Sequence, residues 1–268
     1  MSKVSPGAKI HLIAIGGAVM HNLALDLQAA GYQVSGSDDR IDEPARGRLA
    51  TAGLLPEPMG WDASRITPDL DTVVLGMHAK ADNPELQRAL ELGIRVCSFP
   101  ELVGEMTAHQ QRLVVAGSHG KTTVTSMVMH ALRFHGINFD YLVGSAMPGY
   151  ERMVQLGTKA AAVVLEGDEY LSSALDPRPK MSHYNPHATV ITGIAWDHIN
   201  VFPTRESYEN VFADYIRSLE SGAVLIYFEE DPILARLVQE NGRGLELKPY
   251  KAAPYVVEDG YTFLKNSL

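Results

Sequence analysis

Cysteine is nearly missing from this sequence. One residue, Cys97, in a chain of 268 excludes an intrachain disulfide framework and any metal centre built from several thiolates. Cys97 lies in the strand-like run RVCSFP and reads as a small buried hydrophobe rather than a nucleophile. Long apolar runs are missing too. No stretch of 18 apolar residues occurs, so no hydrophobic helix able to span a bilayer is expected. The N-terminal MSKVSPGAKIHLIAIGG has a short apolar stretch ending in a glycine pair, not the layout of a secretion signal. A cytoplasmic location is the expectation from both absences. Positive charge is scarce as well: 23 Lys and Arg stand against 32 Asp and Glu, a net charge of -9. Neutralising a nucleic-acid backbone requires clustered cations, so no nucleic-acid partner is expected. An anionic small ligand, which needs only a local positive site, stays possible. Low-complexity segments and short repeats are absent.

What is present is a β-α-β rhythm. Apolar residues make up 46% of the chain, enough for a sizeable core, and the length suits two domains. KIHLIAIGG reads as strand then turn. AVMHNLALDLQAAG reads as a helix stopped by Gly31, and YQVSGSD and DTVVLGM as strands. NPELQRALELG is a helix with Pro84 early and Gly93 late, followed by the strand IRVCSF. The polar GEMTAHQQ, 104–111, is the candidate linker. The rhythm restarts with RLVVAG as strand and KTTVTSMVMHALRFHG as helix. AAAVVLEGD, ATVITGI and AVLIYF are further strands, with ESYENVFADYIRSLE a helix between them. The final LELKPYKAAPYVVEDGYTFLKNSL reads as a β-rich edge with a turn at Asp259-Gly260. Alternation of this kind predicts an α/β fold: a Rossmann-like parallel-sheet domain over 1–107 and a P-loop ATPase-like domain over 108–268.

Four stretches could carry chemistry. The turn IGGAVMHN places Gly16 and Gly17 at a helix N-terminus, where exposed N–H groups suit a pyrophosphate; a plain tight turn is the alternative. Asp38, at the end of GSDD, could accept ribose hydroxyls or be a solvated or capping acid. The second stretch is VVAGSHGKTTVTSM. The usual phosphate-loop spelling G-x-x-x-x-G-K-[ST] would need a glycine at 115, where Val115 stands, and Gly117 comes two residues late. The context is right all the same, with a strand before it and a helix opening at Lys121. Gly117, Ser118, His119 and Gly120 can wrap phosphates, Lys121 can neutralise them, and Thr122 or Thr123 can meet magnesium. Third, VVLEGDEY sets Glu166 at the carboxyl end of a strand, where open α/β sheets bind ligands; Asp168 and Glu169 either assist or form a solvated loop. Fourth, GIAWDHINVFPT places Asp197 and His198 after another strand, as metal or phosphoryl-orienting groups or as a capping Asp and a satisfied His. The ten histidines show no zinc-like spacing.

The ordered set GSD, GSHGKTT, EGDE and WDH resembles the Mur ligase family, ATP-dependent ligases of cell-wall synthesis. Its phosphate loop is usually the compact G-T-x-G-K-[ST], and Ser118 keeps the hydroxyl of the usual threonine. The resemblance covers nearly the whole chain. EGDEYLSSALDPRPKMSHYNP, with Tyr170, Asp176, Arg178, Lys180, Tyr184 and Pro186, is similar to the branch that joins UDP-N-acetylmuramate to the recycled murein tripeptide L-alanyl-γ-D-glutamyl-meso-diaminopimelate. It is less similar to the branch that adds L-alanine. The resemblance implies ATP and magnesium as cofactors and an acyl-phosphate intermediate. It implies ATP contacts from Gly117, Ser118, His119, Gly120, Lys121, Thr122 and Thr123, with one magnesium on Thr122 and Glu166 and a second on His198. Lys121, Glu166 and His198 form the implied catalytic set. Gly16, Gly17, Ala18, Met20, Ser37, Asp38 and His78 are the implied UDP-sugar contacts.

Family members also carry a third, acceptor-binding domain and a His-Asn-rich ATP-binding segment. Neither is read here, so the second domain is expected to be incomplete and this chain alone to bind UDP-N-acetylmuramate without turnover. The alternatives are the alanine-adding ligase and a non-catalytic nucleotide or UDP-sugar-binding module. A nicotinamide-dependent oxidoreductase is disfavoured by the missing G-x-G-x-x-G.

Overall fold

The computed structural model describes residues 7–157, 159–197, 201–259 and 261–264. The N-terminal part contains β1 (Lys9–Ile13), α1 (Ala18–Ala29), β2 (Gln33–Ser37), α2 (Ala45–Thr51), β3 (Thr72–Leu75), α3 (Pro84–Glu91) and β4 (Arg95–Ser98). Its strands form a parallel sheet in the order β2-β1-β3-β4. Both faces of this sheet are covered, as a parallel sheet requires. Ile10 and Leu12 of β1 face the larger apolar core, while Ile13, one residue out of phase, joins Val73, Leu75, Leu86 and Ala89 on the opposite side. The helix signals read from the sequence act as expected. The Asn83 side chain accepts from the N–H groups of Glu85 and Leu86, Pro84 opens α3, and Gly93 leaves it at φ +67°.

The segment read as a polar linker is different. Its first residues belong to α4 (Phe99–Met106), capped by the Ser98 hydroxyl. Thr107 and Gln110 are buried. Gln110 Nε2 donates to Asp140 Oδ2 at 2.8 Å and to the Ala160 carbonyl at 2.9 Å. Polarity here serves buried hydrogen bonds, not solvation. Gly104 lets α4 approach closely: a Cβ there would stand 2.3 Å from the His183 carbonyl oxygen.

The second part runs β5 (Gln111–Ala116), α5 (Lys121–Phe134), β6 (Phe139–Leu142), β7 (Val154–Gln155), β8 (Ala162–Gly167), β9 (Leu171–Ser173), β10 (Asp176–Pro179) and β11 (Ala188–Ile191). It continues with α6 (Arg205–Ser218), β12 (Val224–Phe228), α7 (Pro232–Asn241), β13 (Glu246–Tyr250), β14 (Tyr255–Glu258) and β15 (Tyr261–Leu264). Seven strands form one sheet in the order β13-β12-β11-β5-β8-β6-β7, parallel except for β7. β9 and β10 form a small antiparallel pair, as do β14 and β15 around the expected turn, of which Gly260 lies outside the described residues. No helix among the described residues is long and apolar enough to cross a membrane.

The order of that sheet positions the site. From β5 the chain crosses through α5 to β6, beyond β8; β11 then pairs on the other side of β5. The connections leaving β5 and β11 therefore diverge, opening a crevice at the carboxyl ends of β8, β5 and β11.

The two sheets share one apolar core, and polar side chains of α1 tie them together. Asn22 Oδ1 of α1 accepts from Met153 N at 3.1 Å, and Asp26 Oδ2 accepts from Leu156 N at 2.8 Å. Asp26 is buried and its carboxyl is pushed up to about 7. Burial is the largest cause; the Leu156 N–H and the Arg152 guanidinium oppose it. An unfolded Asp ionises near 3.8, so between pH ~4 and ~7 the unfolded chain gives up this proton before the folded one. The Asp26 contribution is thus fully present below pH ~4 and is lost as pH rises toward 7, by on the order of a few kcal/mol. We expect Asp26→Asn, whose amide oxygen can still accept from Leu156, to flatten the fall in urea-unfolding stability across this window. The same slope in both proteins would show that another group titrates.

Candidate functional site

Strand β5 ends at Ala116, and the next four residues form the loop. Gly117 takes φ +127°, and a Cβ there would lie 2.2 Å from Thr192 Oγ1 and 2.9 Å from the Gly193 carbonyl oxygen. Only glycine fits this approach to the exit of β11. Ser118 N donates to the Gly193 carbonyl at 2.9 Å, and Thr192 Oγ1 donates to the His119 carbonyl at 2.6 Å. Gly120, at φ +77°, starts α5, with nothing within 4 Å of where its Cβ would stand. The helical ladder begins only at Val124 N, which donates to the Gly120 carbonyl. The first N–H groups of α5 consequently have no intrahelical acceptor, and no acidic side chain occupies the first turn. The positive end of a 14-residue helix faces open space, which suits an anion. The compact spelling of the loop works because Gly117 supplies the close approach and Gly120 the left-handed turn.

The three acids of EGDE separate onto three partners. Glu166 pairs in register with Val115 of β5, which carries it to the loop. Its Oε1 accepts from Thr122 Oγ1 at 3.0 Å and its Oε2 from Gly144 N at 3.1 Å. Thr122, not the exposed Thr123, is therefore the hydroxyl beside this carboxylate. Asp168 Oδ2 accepts from Lys180 Nζ at 2.6 Å. Glu169, fully buried, accepts from Lys121 Nζ at 2.8 Å. Both Asp168 and Glu169 are thus paired with lysines rather than solvated loop acids, the alternative to an assisting role. Tyr208 of α6, absent from the sequence reading, lies with its hydroxyl 3.4 Å from Glu169 Oε1 and also meets the Ser118 side chain. Burial, with the neighbouring Glu169 charge, raises the Tyr208 phenol far above its usual range, so it acts as a neutral hydroxyl.

At the rim, the exposed His119 ring has Nε2 3.4 Å from Asp197 Oδ2. His198, expected to bind metal, lies outside the described residues. Among the described residues no group of three His, Cys, Asp or Glu side chains is placed to hold a metal ion. The oxygen donors brought together are Thr122 Oγ1 and Glu166. One hydroxyl and one carboxylate fit magnesium, which keeps most of its coordination for water and phosphate.

At the first sheet, β1 runs into Ala14 (φ +64°) and the glycine pair, with Gly17 capping α1. Gly16 N donates to Asp38 Oδ2 at 2.8 Å. Asp38 is buried, and burial raises its carboxyl while the Gly16 N–H opposes the shift. It braces the turn from below, a role neither sequence reading of Asp38 contained. Ala18 is exposed beside the turn, and exposed His78 follows β3 at the same edge. Met20 and Ser37 differ: Met20 packs in the core, and the fully buried Ser37 hydroxyl donates to Glu85, within reach of His11 Nε2. Their side chains face inward, so contact with a ligand from these positions is left to the backbone.

Two family models match this chain: the Mur ligase family, catalytic domain, over residues 9–111, and the Mur ligase middle domain over 115–251. A UDP-N-acetylmuramate–L-alanine ligase of Rhodococcus opacus is 34% identical over 243 residues, 88% of this chain and 46% of that protein. The UDP-N-acetylmuramate–L-alanyl-gamma-D-glutamyl-meso-2,6-diaminoheptandioate ligase of Haemophilus influenzae is 29% identical over 218 residues, 81% of this chain and 48% of that one. The chain spans about half the length of the curated relatives it matches. Among solved structures, the UDP-N-acetylmuramate:L-alanyl-gamma-D-glutamyl-meso-diaminopimelate ligase from Neisseria meningitides superimposes with a TM-score of 0.83 at 26% identity, over 96% of this chain and 84% of that one. The UDP-N-acetylmuramate-alanine ligase from Thermotoga maritima gives 0.67 at 26% identity, over 85% and 51%.

Gly144 offers a test of the Glu166 geometry. A Cβ there would stand 2.6 Å from Glu166 Oε1, a side-chain end that can swing away. Gly144→Ala is expected to change folding stability by no more than ~1 kcal/mol. The tightening of ATP binding by magnesium, read by titration with and without the ion, should largely disappear. Full retention of that tightening would mean Glu166 is not where the ion is held.

Proposed function

The chain belongs to the Mur ligase family, and from that premise we propose that it serves ATP-dependent amide-bond formation on UDP-N-acetylmuramate, with the murein tripeptide as acceptor. The observation that carries this reading is the gathering of Lys121, Thr122 and Glu166 around the glycine loop at the start of α5. In the proposed reaction the lactyl carboxylate of UDP-N-acetylmuramate is phosphorylated by ATP. The acceptor amine then attacks the acyl phosphate, and phosphate leaves. Bringing a carboxylate to a triphosphate concentrates negative charge. The ammonium of Lys121 and the N–H groups opening α5 supply preorganised positive charge against it. Magnesium, when bound beside Thr122 and Glu166, would neutralise phosphate oxygens. The Gly16–Gly17 turn, at the N-terminus of α1, is the proposed seat of the UDP pyrophosphate, braced by Asp38. Gly117, Ser118, His119, Gly120 and Thr123 complete the proposed nucleotide contacts, with His198 the proposed ligand of a second magnesium. The proposed units are a UDP-sugar-binding domain over 1–107 and an ATP-binding domain over 108–268.

The tripeptide acceptor is favoured by the fit to the Neisseria enzyme, which extends over 84% of that chain. An L-alanine acceptor is favoured by sequence identity, 34% against 29%. We expect saturable calorimetric binding of UDP-N-acetylmuramate and none of NADH; the reverse would sink the ligase reading. With an acceptor-binding domain of the family supplied, ADP release from UDP-N-acetylmuramate and ATP should respond to the tripeptide at least about tenfold more efficiently than to L-alanine, a gap of ~1.4 kcal/mol. A preference for L-alanine would reassign the acceptor and leave the fold and nucleotide site as described.

A further inference from the structure

The Lys121 ammonium makes three hydrogen bonds: to the Gly117 carbonyl at 2.6 Å, to the Ser118 carbonyl at 3.3 Å and to Glu169 Oε2 at 2.8 Å. An ammonium has three donors, so the protein itself uses its whole capacity. Lys121 can bind a phosphate only by releasing one of these partners. Two of them are carbonyls of the loop that would wrap the phosphate. The third is a charged acceptor, and charge-assisted bonds are the stronger ones. Glu169 is fully buried, while the Lys121 side chain is 14% exposed. The carboxylate also has the Tyr208 hydroxyl 3.4 Å from its other oxygen, and that hydroxyl meets Ser118 within the same loop. The lysine is the partner with room to move.

We infer that Glu169 is a positioning residue that holds Lys121 folded back over the glycine loop, and that the terminal phosphates of a nucleoside triphosphate displace Glu169 as the counterion of Lys121. The inference rests on the nucleotide reading of this loop. It assigns the three acids of EGDE distinct tasks: Glu166 faces the metal position, Asp168 fixes Lys180, and Glu169 sets the resting state of the loop lysine. It also gives Tyr208 a task. By donating to Glu169, the phenol lessens the dependence of that carboxylate on Lys121 and eases the exchange.

These roles have opposite signs in a binding experiment. Calorimetric titration with magnesium ATP would be performed on the wild type, Glu169→Gln, Tyr208→Phe, the double variant and Lys121→Ala. Removing the competing charge in Glu169→Gln should tighten ATP about tenfold. Tyr208→Phe should weaken it by roughly two- to fivefold, because Glu169 then leans harder on Lys121. The double variant should bind close to Glu169→Gln and tighter than wild type, since the effect of the phenol on Lys121 runs through the carboxylate charge. A merely structural role for either residue would lower affinity in both single variants and add in the double. Glu169→Gln binding no tighter than wild type overturns the inference. Should that variant not fold, Tyr208→Phe binding ATP as well as or better than wild type does so. Lys121→Ala separates the two readings. Equal ATP binding by Lys121→Ala and wild type, or no binding by any of the proteins, sinks the nucleotide reading and this inference with it. Loss in Lys121→Ala without gain in Glu169→Gln sinks the inference alone.

Discussion

The candidate site depends on one close approach, where the backbone at Gly117 passes the exit of β11. No side chain fits between Gly117 and Thr192, and Ser118 N, Ser118 Oγ and Thr192 Oγ1 tie the two connections together. Because β5 and β11 are paired in register, with Ala116 opposite Ile191, this contact extends the sheet's order one step beyond its last paired residues. The loop therefore inherits the rigidity of two central strands. On the other side of β5, the register that sets Glu166 opposite Val115 brings the carboxylate to the first turn of α5. A shift of one residue would turn the Glu166 side chain to the opposite face of the sheet. The proposed metal position and the proposed phosphate position are thus two consequences of the same strand alignment.

An acidic chain can hold such a site because its negative charge is locally engaged. Glu166 accepts a hydroxyl and an N–H, Asp168 is matched by Lys180, and Glu169 by Lys121. Asp231, near the same rim, accepts from Ile194 N and from the first N–H groups of α7. What remains outward at the loop is the N-terminus of α5. Net charge speaks to long-range partners; the short-range field is set by which groups are already satisfied.

Much of this architecture is legible in the sequence, and the reasons are local. Strands such as Ala162–Gly167 begin as apolar runs and close on an acid and a glycine, and helix α3 carries its cap, its proline and its terminal glycine within eleven residues. The glycine loop is legible because its spelling and its strand-to-helix context coincide. The misses are non-local. The last residues of α4 fall in a stretch read as linker, where Thr107 and Gln110 use their polarity on partners reached only after folding. Helix α7 goes unread although Asp231 and Pro232 are a start signal. Tyr208 stands 39 residues from Glu169, and nothing on its own helix marks it. The partition of EGDE among Thr122, Lys180 and Lys121 needs the sheet register, which the spacing of the acids alone does not contain.

The segment after EGDE carries the narrower resemblance, and its geometry explains why acceptor identity is harder to read than nucleotide chemistry. Arg178 grips Asp176 through Nε at 2.9 Å and through its terminal nitrogen at 2.7 Å, and the Ser172 hydroxyl donates to the Arg178 carbonyl. His183 Nε2 stands 3.1 Å from the same Asp176. Lys180, tied to Asp168, also lies over the rings of Phe99 and Tyr170, 5.6 and 5.7 Å from their centroids. Lys180 is therefore engaged inside the β9–β10 region and its contact with α4, while the exposed Arg178 pairs with Asp176 at the surface. They shape a wall beside the carboxyl end of β8. The charges of this motif are thus matched within the segment and its neighbours, Arg178 by Asp176 and Lys180 by Asp168.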